Sequence, residues 1–337
     1  MKFILYLFLT SIFYFQLLYS QIQPGDSLQF WSVAYIDIQP IPPIEQRLLN
    51  AVCKEVGEYC YVFIDTEVSN TPTTQQIDFL INIFDSSFVP GLTHLYGPVP
   101  DEFDNDIKIY LLIIPSEGWV GYFDPAHQME DSIVWQNWSK HSNQKEIIYL
   151  SYQVFNYGAD IVLAHEFGHM LHWGRDHSPE PPNNPVKYWE DAWIDEGFAT
   201  FAPVYLIEDV THPDVYDNQA FFAFEPDLSL IHFLGGSSYN QVKLWMTYMF
   251  EHFDGEDYIS TLINEQANGI QGVMKTLENL GYEELFDETF DQWITANFLD
   301  NKTYLNGKYG YHHYNFPPCR LAATYNQLPT GIKTGSV

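Results

Sequence analysis

Basic residues are scarce in this sequence. Lys and Arg number 14 against 44 Asp and Glu, for a formal net charge of −30. Nucleic acids are gripped by rows of cations that displace counterions from phosphates, so this balance excludes them as partners. It also disfavours attraction to an anionic membrane surface. Cysteine is scarce too: Cys53, Cys60 and Cys319 are too few and too dispersed for a zinc–thiolate site. Long apolar runs are missing apart from Phe3 to Leu18, which Thr10, Ser11 and Gln16 interrupt. That run is shorter than the roughly 20 residues a spanning helix needs. No internal repeat at a solenoid period is present.

What is present is core material. Of the 337 residues, 46% are hydrophobic and 17% aromatic, enough for one large domain or two subdomains and unlike a disordered chain. Lys2, the apolar run after it and the small Ser20 read as a secretory signal peptide over residues 1–20. The expectation is a secreted, extracellular protein with no membrane span once the leader is cleaved. In an oxidising compartment a Cys53–Cys60 disulfide is expected, provided a helix turns at Gly57 into the following strand. Cys319 is then left over.

The order of elements divides the rest of the chain. Residues 21–157 read as an α/β part. Ser27 to Ile38 is an extended entry segment, Ile44 to Glu55 a helix, and Tyr59 to Asp65 a strand. Ile77, Leu80, Ile81 and Phe84 recur at helical spacing behind Thr73 and Thr74 as caps. Ile107 to Ile114 and Glu146 to Leu150 are two further strands. Residues 158–303 read as a helical part, with helices over 158–173, 188–207, 238–253, 256–266, 269–280 and 282–300. Gly255, Gly269 and Gly281 separate several of these, and Gly174 to Lys187 is a polar, proline-broken loop. Residues 304–337 read as an irregular or β tail whose polar end, Gly335-Ser336-Val337, looks truncated.

One string carries chemistry: His165-Glu166-Phe167-Gly168-His169 on a predicted helix. Residues four apart share a helix face, so two imidazoles so placed can ligate one zinc ion. Glu166 then lies near the metal without ligating it and can take a proton from an activated water. Composition alone yields such a string by chance on the order of a few per cent of the time. The apolar Ile161-Val162-Leu163-Ala164 before it speaks for a buried helix rather than a solvated one. A catalytic zinc needs a third protein ligand and an open position. Glu196, in Trp193-Ile194-Asp195-Glu196-Gly197-Phe198-Ala199, is placed to supply it, because small neighbours let the helices approach. Glu190, Asp191 and Asp195 are rival carboxylates that could instead hold a ligand histidine's ring N–H. His172 stands a further turn along and reads as a rim or packing residue. His177 completes a ligand set only through an irregular turn.

These two strings resemble the gluzincin zinc metallopeptidases, and among them the hyicolysin-like branch. Gly121-Tyr122-Phe123-Asp124-Pro125, Ser142-Asn143 and Gly236-Ser237-Ser238-Tyr239 add to the likeness, which spans roughly residues 27–300. The resemblance implies zinc ligands at His165, His169 and Glu196, and a general base at Glu166. It implies an α+β, thermolysin-like two-part zincin, with the metal in a cleft between an α/β half and a mostly helical half. The implied activity is that of a zinc metalloendopeptidase acting on protein or peptide substrates. One position departs from the pattern. Some gluzincins carry an Asp four residues after the ligand Glu, and Thr200 stands there, so the partner of a ligand histidine must lie elsewhere.

Peptide hydrolysis also needs a group to stabilise the oxyanion. Tyr239, opening a helix after Gly235-Gly236-Ser237-Ser238, is the candidate, with His232 the runner-up. Asp101, Glu102, Asp104 and Asp106 could bind Ca2+ or form a solvated loop. Two rival readings stay open: a zinc hydrolase acting on another amide or ester, and a secreted binding protein that keeps the peptidase fold.

Overall fold

Three segments are buried at every position: β3 (Cys60–Asp65), β4 (Ile109–Ile114) and β6 (Ile147–Ser151). In the computed structural model they lie side by side and parallel, the arrangement in which both faces of a strand are covered and its sequence reads as an unbroken apolar run. The structure describes residues 22–33, 46–101, 103–115, 120–156, 158–176, 190–207 and 228–312. The expected leader, His177, Cys319 and the tail beyond 312 lie outside these residues.

The sheet has six strands in the order β1-β2-β3-β4-β6-β5, where β1 is Ser27–Val33, β2 Gln46–Val56 and β5 Gly121–Tyr122. β1, β2 and β3 pair antiparallel in sequence, and β5 runs antiparallel to β6 at the far edge. One face packs on helices through Cys60, Val62, Ile64, Leu111, Ile113 and Leu150. The other curls over a smaller cluster that includes Phe30, Leu49, Cys53, Phe63 and Tyr149.

Of residues 44–55, expected as a helix, the described ones, 46–55, instead belong to β2. Gln, Arg, Leu, Ala, Lys and Glu all favour helix, which is why local propensity misleads here. Burial alternates along the segment, with Leu49, Ala51 and Cys53 inward, and β1 and β3 take its backbone groups on either side. Tertiary pairing therefore overrides a weak local preference. The expected Cys53–Cys60 disulfide falls with that helix. Both cysteines are free and buried. Cys53 belongs to the cluster on the curled face and Cys60 to the helix-packed face, so their side chains point to opposite sides of the sheet.

The helices follow the periodicity more closely. Thr73 caps α1 (Thr74–Ile83) by accepting from the Gln76 N–H, while the Gln76 side chain accepts from the Thr73 N–H. A single π-turn, Phe84–Phe88, carries α1 directly into α2 (Val89–Tyr96), with Pro90 just beyond it. α3 is Asp131–Trp138. The second half holds α4 (Ala159–Asp176), α5 (Ala192–Leu206), α6 (Ser238–His252), α7 (Glu256–Leu262), α8 (Gly269–Asn279) and α9 (Phe286–Leu299). Gly255, Gly269 and Gly281 all have positive φ at the breaks between them.

α5 is the central helix, with ten buried positions. Trp193 on α5, Trp245 on α6, and Phe286 and Trp293 on α9 pack edge-to-face or tilted at centroid distances from 5.5 to 6.1 Å. Each such pair adds about 0.5–1.5 kcal/mol beyond burial of its area. Tyr96 of α2 donates its hydroxyl to the Phe198 carbonyl of α5 at 2.8 Å, tying the first half to the second. One apolar cluster runs from the sheet through α4 and α5 to α9. No described helix is long and apolar enough to cross a membrane.

Burial raises the Cys53 thiol to about 11 and also raises that of Cys60, so neither is a reactive thiolate at neutral pH. A thiol reagent should therefore leave both untouched in the native protein and label both after denaturation without reductant. A Cys53–Cys60 linked peptide in a non-reducing digest would contradict this arrangement.

Candidate metal centre

α4 presents two faces. Leu163, Ala164, Phe167, Met170 and Leu171 are buried in the core. His165, Glu166 and His169 look into a cleft of about 340 Å³ that Gly121, Phe123 and Tyr239 also line. The 3.6-residue period alone makes this division, since the apolar and ligating positions are offset around the same turns.

Glu196 reaches the cleft from α5, which packs closely on α4. A Cβ at Gly168 would stand 3.1 Å from the Ala199 Cα and 3.2 Å from the Ala202 Cβ. A Cβ at Gly197 would meet Met246 Cε at 3.0 Å on α6. Both glycines thus serve close helix approach. The Nε2 atoms of His165 and His169 each stand 3.4 Å from Glu196 Oε2. Neither contact has hydrogen-bond geometry, and that oxygen is buried with no hydrogen bond.

The spacing suits a metal. Donors at two corners of a tetrahedron with bonds of about 2.0–2.1 Å are separated by roughly 3.3–3.4 Å. An imidazole pair with a carboxylate is a donor set that zinc accepts, and a buried carboxylate oxygen without a hydrogen bond is otherwise costly. His165, His169 and Glu196 would hold the ion, leaving the cleft side open.

The partner that Thr200 cannot be is Asp195. Its Oδ2 lies 3.0 Å from His169 Nδ1, and its Oδ1 lies 2.7 Å from His172 Nδ1. Asp195 thereby fixes the His169 ring so that Nε2 faces Glu196. His172, buried against Phe198 at 4.6 Å, anchors Asp195 from the other side. The Thr200 hydroxyl donates instead to the Glu196 carbonyl at 2.6 Å. Of the other carboxylates, Glu190 Oε1 accepts the N–H groups of Asp191 and Gly269 and so holds the start of α8.

The electrostatics follow from burial and these contacts. Burial would raise Glu196, but His165 and His169 outweigh it and hold its carboxyl at about 2. Asp195 is likewise lowered against burial, by His169 and His172. His169 rises despite burial because Asp195 and Glu196 face it. A proton on His169 balances part of this negative charge, and a metal bound there would replace it. Burial raises Glu166, with His165, His169 and the Phe123 backbone opposing it.

Tyr239 enters the cleft at the start of α6, its ring 6.0 Å from that of His165. Burial and the neighbouring Glu196 and Glu166 carboxylates raise its hydroxyl and keep it protonated. His232 is exposed and does not line the cleft. Of the acidic run at 101–106, Asp101 and Asp104 gather around Glu146, which the sequence reading did not single out. Asp106 accepts from the Tyr61 hydroxyl, and Glu102 lies outside the described residues.

No protein-family model matches the sequence, and no curated protein matches it.

Two measurements check the centre. Metal analysis should find one zinc per chain, with Asp195→Ala weakening zinc affinity by about 10–100-fold without changing the ligand set. Gly168→Val should separate α4 from α5, lower stability by about 1–3 kcal/mol and weaken zinc binding as well. Wild-type affinity in either variant would remove that residue from the account.

Proposed function

We propose that this chain is a zinc-dependent peptidase of the gluzincin type, with a thermolysin-like arrangement of a sheet-bearing half and a helical half around the metal. The observation that carries the reading is the convergence of His165, His169 and Glu196, whose ligating atoms lie within 4.8 Å of one another with each Nε2 3.4 Å from Glu196 Oε2, and with Glu166 in the same cleft. A zinc ion bound there supplies Lewis acidity, acidifying water and polarising a carbonyl.

The chain's own residues do the rest. Glu166, lining the cleft, takes the proton of the attacking water and returns it to the departing amine. Its burial excludes competing solvent from the carboxylate. Tyr239 holds a neutral hydroxyl at the cleft wall and donates to the oxyanion as charge develops on it. Asp195 keeps His169 in register throughout.

A peptide rather than a small amide is favoured by what lies next to the cleft. β5 ends the sheet on that side, so among the described residues only one of its edges is paired. Such an edge can accept an extended chain, with backbone hydrogen bonds supplying affinity. Export through the leader over residues 1–20 belongs to the same reading, as it would deliver the enzyme to extracellular protein substrates.

Glu166→Gln should retain zinc and lose casein cleavage altogether. Tyr239→Phe should lower kcat by about 10²-fold with KM little changed, as for loss of one oxyanion donor. Cleavage of small amides or esters but not casein would redirect the assignment to another hydrolase. Zinc binding with no turnover on any of these would redirect it to a binding protein.

A further inference from the structure

A second group of carboxylates lies apart from the metal centre. Asp101 and Asp104 sit on the loop between α2 and β4, and Glu146 immediately precedes β6. Oxygens from all three lie within 4.8 Å of one another. Glu146 separates this group from an ordinary acidic surface. It is 1% exposed, and both its carboxylate oxygens are buried without a hydrogen-bond partner. Buried charge in that state is strongly unfavourable unless a cation meets it.

Lys145 is a cation beside the group, and it pairs with Asp104 rather than with Glu146. Its ammonium donates to Asp104 Oδ2 at 3.1 Å and to the Tyr110 hydroxyl at 3.1 Å, lying 4.5 Å over the Tyr110 ring. One ammonium therefore faces three carboxylates. Asp104 Oδ1 accepts the Asp106 N–H at 3.0 Å, and the Glu146 carbonyl accepts the Tyr110 N–H at 2.7 Å. The backbone around the group is thus set by the sheet and the turn. Burial, with Asp104 and Asp101 adding to it, pushes the Glu146 carboxyl up to about 7.

We propose that Asp101, Asp104 and Glu146 form a calcium site that ties the loop before β4 to the start of β6. All three donors are hard oxygens, with no imidazole or thiolate among them, which selects against zinc. Asp101 is exposed and Asp104 half-buried, so waters can complete the six to eight ligands that calcium takes. Magnesium, which demands a near-ideal octahedron, fits such a loose set less well. The site does not rest on the peptidase reading. Glu146 lies at the opposite end of β6 from Leu150, the partner of Gly121 in the cleft, about 13 Å along the strand.

Terbium is the probe, since Tyr110 stands close enough to sensitise its luminescence. Terbium added to the full chain should give a saturable signal that calcium displaces. The titration should be unchanged in His165→Ala, which lacks a donor of the zinc centre. Glu146→Gln should raise the calcium dissociation constant at least about 10-fold, as expected for loss of one of three carboxylate ligands. Asp101→Asn changes only an exposed side chain and should weaken calcium several-fold even if Glu146→Gln folds poorly. Calcium should raise the unfolding temperature of the wild type and not that of Glu146→Gln. Equal calcium affinity in the wild type and both acidic-site variants would overturn the proposal. So would terbium that calcium fails to displace, or terbium binding lost in His165→Ala.

Discussion

The distance between α4 and α5 governs this molecule. Two of the three candidate metal donors stand on one helix and the third on the other, so they converge only while the helices remain in contact. Gly168 makes that contact possible, since a Cβ there would press on the Ala199 backbone. Behind it, Phe167 and Phe198 anchor the two helices in the shared core against Phe84 and Tyr96. The edge-to-face cluster of Trp193, Trp245 and Trp293 then fixes α5 from its far side. An apolar core thus positions polar chemistry, and burying that chemistry is affordable only because each charge faces another.

That pairing is tightly organised around Asp195. It bridges His169 and His172, so a residue outside the ligand set determines which ring nitrogen faces Glu196. In the absence of a cation, the histidines and carboxylates hold one another's charge. A divalent ion changes the terms of that balance, because its ligands must be deprotonated to bind it. Glu146 presents the contrasting case: among the described residues no imidazole joins its group, and its oxygens have no hydrogen bond. The large acidic excess of the chain is therefore not all solvated surface. Some of it is concentrated at two places, at opposite ends of β6.

The helical half was the more legible in the sequence. Its apolar positions recur at helical spacing, and glycines with positive φ stand at its breaks, so local rules and the fold agree. The parallel strands were legible for the same reason, as unbroken apolar runs. β2 was not, because its composition favours helix and only its neighbours on both sides make it a strand. The cysteine pairing failed with it, since which face of a sheet a residue takes depends on register.

For the candidate site, the sequence by itself determined the spacing of His165 and His169, because four residues make one helical turn whatever surrounds them. It also pointed to Glu196, through the small residues that let a second helix come near. Tertiary structure alone decided which carboxylate holds His169. Asp191, Asp195 and Glu190 are equivalent as residue types, and only the crossing of α4 and α5 brings Asp195 to the ring. It alone decided that Glu146 joins Asp101 and Asp104, since those residues are some forty positions apart and meet only through the pairing of β4 with β6. Contacts of that range leave no periodic trace in a sequence, and are settled only when the sheet forms.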